Sequence, residues 1–226
     1  PRPPGSAPAL RAFVTLLSRA WLFGANHVAA RVAFDHGVDV VTAVAVRSLG
    51  TALVVALVVR ALALPVQLTA RQWRWLGAVA GLIAVQSLCL YAAVARLPVA
   101  LALLAFNSFP LWVALWSVLV FRQPPPRALL WAMPVILVGL ALALDVGTAA
   151  AQGAPAGTGC GIGFALTAAA SFGLALVFTQ HELAGVDGRV RTVLTMALVG
   201  SVALLLALTG SGLRWPTATA GWAGLA

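Results

Sequence analysis

The sequence predicts an all-α membrane protein, a bundle of hydrophobic helices. Three observations predict it: 62% hydrophobic residues against 8% charged, a mean hydropathy of +1.02, and repeated apolar runs about as long as a bilayer is thick. A soluble domain is about a quarter charged, so a water-facing surface of ordinary composition cannot be built from these residues. In lipid the outside of a bundle can be apolar, provided each backbone polar group is satisfied within its own helix.

A span needs about 20 mostly apolar residues. Seven runs meet or approach that length: Phe13–Phe34, Val40–Leu64, Trp75–Ala95, Pro98–Phe121, Ala128–Leu144, Cys160–Gln180 and Thr192–Thr209. Charged, Pro-rich or Gly-rich segments separate them, the longest being the Gly/Ala/Thr-rich Val146–Gly159. After the seventh run, Gly221-Trp222-Ala223-Gly224-Leu225-Ala226 reads as the first turn of an eighth helix.

The net charge of +9 comes from fourteen arginines, no lysine and five acids. Ten arginines (2, 11, 19, 60, 71, 74, 122, 127, 189 and 191) fall on one side of the expected membrane. Arg31, Arg96 and Arg214 fall on the other, and Arg47 lies inside the second run. Positive charge stays cytoplasmic, which predicts a cytoplasmic N-terminus. The arginines form no stripe of the kind that tracks a phosphate backbone, which excludes nucleic acid as a partner.

An internal repeat follows from three short matches at almost one offset. Gly37-Val38-Asp39 recurs as Gly185-Val186-Asp187, Phe23-Gly24-Ala25 as Phe172-Gly173-Leu174, and Trp75-Leu76-Gly77 as Trp222-Ala223-Gly224. A unit of five spans is odd, so its second copy enters the membrane upside down, a construction common in secondary transporters. The expected organisation is a first five-helix repeat over 1–145, a connecting loop over 146–159, and an incomplete second repeat over 160–226. Spans 8 to 10 are expected to lie beyond this sequence.

Several motifs carry a resemblance. Trp21-Leu22-Phe23-Gly24-Ala25-Asn26-His27 resembles the Trp-Gly-x-Asn-Phe opening of the EamA-like family of the drug/metabolite transporter superfamily. Arg47 stands where that family commonly has an arginine in span 2. Tyr91 to Ala100 is similar to its connector between spans 3 and 4, Phe109-Pro110-Leu111 to its span 4 proline motif, and Gly139 to its span 5 glycine. The resemblance implies a ten-helix transporter fold of two inverted five-helix repeats, and export or exchange of amino acids or other small metabolites. One departure is Arg122-Gln123, where the family often has Gly-Glu after span 4.

Polar groups within the runs supply the candidate site. A charge at mid-bilayer costs roughly 2.5–3.5 kcal/mol on insertion scales, so it faces the bundle interior or water. Arg47 is expected either to anchor an anionic group, or to bond loop carbonyls or snorkel to the outer interface, and Thr51 shares its face. Asn26 and His27 in span 1, Gln86, Ser87 and Tyr91 in span 3, Asn107 in span 4 and Ser171 in span 6 are candidates to line a substrate cavity or to join helices. Trp21 and Trp112 lie deep enough to wall that cavity. The expected substrate-binding set is therefore Trp21, Asn26, Arg47, Gln86, Tyr91, Asn107, Trp112 and Ser171.

Absent groups narrow the chemistry. Asp35, Asp39, Asp145, Glu182 and Asp187 all fall at run ends, so no carboxylate is placed for a mid-membrane proton relay. There is no lysine for a nucleotide-binding loop, and Cys89 and Cys160 show no metal-ligand spacing. The three histidines are dispersed, which argues against an enzyme; no metal or cofactor is expected. The reading is a multi-pass protein of a bacterial inner membrane, a secondary transporter of small solutes. Its alternative is a non-transporting scaffold or sensor with a ligand cavity. The expected partners are a small-molecule substrate and the bilayer, with a homo-oligomer left open.

Overall fold

The computed structural model describes residues 6–123, 157–210 and 212–225, with isolated positions between 131 and 142. Eight helices fall within the continuous segments: α1 (Ser6–Asp35), α2 (Val40–Ala61), α3 (Ala70–Arg96), α4 (Val99–Phe106), α5 (Phe109–Phe121), α6 (Thr158–Glu182), α7 (Gly188–Thr209) and α8 (Thr219–Leu225). No strand occurs among the described residues.

Local chemistry sets the boundaries. The Asp39 carboxylate accepts from Thr42 N at 3.1 Å and starts α2. Thr69 and Gln72 exchange side-chain and backbone bonds in a capping box that starts α3. The Asp187 carboxylate accepts from Arg189 N at 2.8 Å and starts α7. Asp39 and Asp187 are the same residue of the repeated Gly-Val-Asp, and each caps the helix after it. Asp39→Ala is expected to lower stability by about 1 kcal/mol, the usual value of such a cap, read by thermal unfolding in detergent.

The fourth run is broken rather than continuous. Pro110, in the first turn of α5, has no N–H to donate to the preceding turn. The chain turns at Asn107 and Ser108, where the Ser108 hydroxyl donates to Ala105 O at 2.7 Å and takes up a carbonyl the helix would have used. Together α4 and α5 still cover a membrane-length segment, Val99–Phe121.

Among the described residues five segments are long and apolar enough to cross a membrane: α2, α3, the α4–α5 pair, α6 and α7. The sequence reading had seven. The 30-residue α1 is not one of the five, because Arg19, Asn26 and His27 dilute its apolar stretch. The Ala128–Leu144 run lies outside the continuously described residues.

Packing follows small residues. α3 lies against α6 and α7, α2 against α7, α4 and α5 against α6, and α1 against α8. Gly173 of α6 meets the backbone of α5, Gly200 of α7 meets Leu49 of α2, and Gly224 of α8 meets Ala29 and Ala33 of α1. Without a hydrophobic drive between helices in lipid, such close approach supplies the van der Waals contact. Leu53, Leu57, Leu119, Leu205 and Leu208 point outward and are exposed, as lipid-facing residues would be.

Candidate functional site

Asn26, Arg47 and Tyr91 come from three helices and meet in one cluster. The Arg47 Nη1 donates to the Asn26 side-chain oxygen, to Asn26 O at 2.8 Å and to the Tyr91 hydroxyl at 3.0 Å. Its Nη2 donates to Gly224 O of α8 at 3.3 Å. Asn26 Nδ2 donates in turn to the Tyr91 hydroxyl at 3.3 Å, and the guanidinium carbon stands 6.0 Å from the Tyr91 ring centre. Arg47 Nε is buried and has no hydrogen-bond partner among the described residues. His27 is 2% exposed, its ring centre 5.5 Å from that of Tyr91.

Every acceptor around Arg47 is neutral. The four acids within the described residues are engaged elsewhere: Asp35 pairs with Arg31, Glu182 with Arg71, and Asp39 and Asp187 cap helices. Asp145 lies outside the described residues. The other arginines facing the bundle are also placed at its ends. Arg31 donates to Val94 O at 3.0 Å and Ala95 O at 3.3 Å, the carbonyls closing α3, where a helix terminus favours a cation. Arg96 bonds Ala92 O and covers the Phe164 ring. Arg47 is thus a cation deep in a span, held by dipoles, with no counter-charge among the described residues.

Two cavities flank it. One, of about 210 Å³, is lined by His27, Ser48, Gln86, Ser87 and Met196 together with the cluster. The other, of about 450 Å³, is bounded by Gly50, Thr51, Val54 and Leu225. Asn26, Arg47 and Thr51 line both. A polar wall with a cation between two voids fits a small solute carrying a negative group.

Of the expected residues, Asn26, Arg47, Gln86 and Tyr91 come together here. Trp112 and Ser171 line a separate cavity of about 360 Å³ between α3, α5 and α6. Trp21 does not reach the cluster. It is 72% exposed on an α1–α8 groove, on the face carrying Ala25, Val28 and Val32. Asn107 is exposed at the α4–α5 break, where its N–H closes α4 on Leu103 O. The expected set left out His27, Ser48, Thr51, Ser87, Met196 and the Gly224 carbonyl. His27 and Thr51 had signals, a polar residue beside Asn26 and one turn from Arg47; a backbone carbonyl has none.

The sequence pattern of the EamA-like transporter family matches residues 10–144, more than half of the chain. No curated protein and no solved structure shows a match.

Proposed function

The chain belongs to the EamA-like transporter family, and on that premise we propose that this multi-pass membrane protein is a secondary transporter. It exports or exchanges small organic solutes across the inner membrane, with the N-terminus cytoplasmic. The observation that carries the reading is Arg47, a charge between two cavities with no counter-ion among the described residues, ringed by Asn26, Gln86 and Tyr91. A membrane protein keeps such a charge at a cost, and an anionic solute group offsets it.

The inverted repeat is supported by the pairing of helices. Exchanging spans 1–5 with spans 6–10 turns the α3–α6 pairing into α8–α1 and turns α2–α7 into itself. All three pairings occur, and the Gly-Val-Asp repeat caps corresponding helices.

Alternating access then needs a latch at each end. At one, Thr217 donates through N and Oγ1 to His36 O, both at 3.1 Å, and Arg214 N donates to Thr42 Oγ1 at 3.0 Å. At the other, Arg71 holds Glu182 at 2.8 Å. Glu182→Gln is expected to widen the second end and Thr42→Val the first, read as spin-label distances across each. With Arg71 open to solvent and Glu182 half-buried, the pair is worth about 1 kcal/mol, roughly a fivefold population shift.

The test of function is solute counterflow in proteoliposomes holding the full natural chain. Saturable flux that falls on Arg47→Ala supports the proposal. Solute-induced thermal stabilisation without flux would favour a sensor or scaffold.

A further inference from the structure

We propose that the Arg47 cavities and the Trp112 cavity take one elongated ligand: an organic anion with an apolar, preferably aromatic, body and no cationic amine. The inference rests on Arg47 being the solute site, and three observations carry it.

The first is charge. Arg47 has an unpartnered Nε and only neutral acceptors, and every described acid is engaged at a helix end. A carboxylate completes the fork of the guanidinium. An ammonium group on the neighbouring carbon, as in a zwitterionic amino acid, would meet that same guanidinium with no acid among the described residues to receive it.

The second is the helix that walls both cavities. Gln86 lines the polar cavity and Leu82 the Trp112 cavity. They lie one turn apart on α3, on one face, about 6 Å along the axis. A ligand held by its charged end at Arg47 and passing Gln86 would reach the indoles along α3.

The third is the character of the far cavity. The Trp112 and Trp116 rings are stacked with centres 6.3 Å apart. Trp116 is fixed by its N–H, which donates to Ala170 O at 3.0 Å, and Trp112 is seated where α5 touches Gly173. Leu82, Leu166 and Leu174 complete the wall. The Thr167 hydroxyl is spent on Gly163 O at 2.8 Å, so beyond Ser171 little remains to hydrogen-bond a polar body. Stacked indoles accept a flat apolar group in offset or edge-on contact.

Three probes separate these features: phenylbutyrate, butyrate (no ring) and homophenylalanine (phenylbutyrate with an α-amine). Each is titrated calorimetrically into the full natural chain in lipid nanodiscs. Phenylbutyrate is expected to bind at least tenfold tighter than either other probe. Trp112→Ala should abolish the preference over butyrate while Trp112→Phe keeps it; if Trp112→Ala unfolds, Trp116→Ala reads the same ratio. Arg47→Gln should abolish the preference over homophenylalanine. Homophenylalanine binding as tightly as phenylbutyrate overturns the proposal. So does a phenylbutyrate-to-butyrate ratio unmoved by the tryptophan variants, or no binding by any probe. Because the readout is binding, phenylbutyrate that binds as expected but is not carried counts against transport and leaves the ligand assignment standing.

Discussion

Replacing Arg47 with alanine is expected to cut saturable solute flux by roughly ten- to a hundredfold. The magnitude is that of hydrogen bonds to a charged group, about 1.5–3 kcal/mol. Arg47→Lys should fall between wild type and alanine. It restores the charge, but a point ammonium does not reproduce the planar fork that reaches Asn26, Tyr91 and Gly224 together. Because those bonds also join four helices, thermal unfolding must be measured beside flux. A carrier whose Km rises while its melting temperature moves little is losing solute contact. Arg47→Ala with undiminished saturable flux would sink the solute-site reading.

Gly173→Val is expected to destabilise the bundle by about 3 kcal/mol, the upper part of the range for overpacking. A Cβ there would lie 2.9 Å from Trp112 Cβ and 3.0 Å from Val113 N. The second of these atoms is backbone, so relief requires α5 and α6 to separate, which would also shift Trp112. Gly24, which follows a phenylalanine as Gly173 does, provides the control. A Cβ at Gly24 meets nothing within 4 Å, so Gly24→Val should stay within about 0.5 kcal/mol of wild type. The comparison is made by thermal unfolding in detergent; equal losses at both sites would refute the close-approach argument.

Five membrane-length segments and the meeting of Asn26, Arg47 and Tyr91 could be read from residues alone because each leaves a local signal. Arg47 stands out in an apolar run, and Asn26 and Tyr91 are polar where lipid would reject them. Which faces meet is another matter. α2 and α5 are apolar almost all round, so no stripe says which side turns inward. That is why Asn107, polar and near mid-run, was expected beside the others yet lies at the surface of a break. The break has a visible cause in Pro110, but a proline in a span kinks some helices and is accommodated in others. Trp21 shows the same limit: its depth in the run is legible, its direction is not. The Gly224 carbonyl, a partner of Arg47, carries no residue signature, since every residue has one.

The bonds of Arg47 also impose an order on biosynthesis. The arginine enters the membrane with the second span, 44 residues before Tyr91 and 177 before Gly224. Of its helical partners only Asn26 precedes it, so the span must be accepted while half of its hydrogen bonds, those to Tyr91 and Gly224, are still unmade. What carries it in is the remainder of α2, where Arg60 at the far end is the only other charge. Valines, leucines and alanines there offset an insertion cost of roughly 3 kcal/mol. The valines, leucines and alanines that surround Arg47 on every side of α2, and so hide its packing face, are what allow a charged helix to be inserted before the helices that will complete its coordination exist.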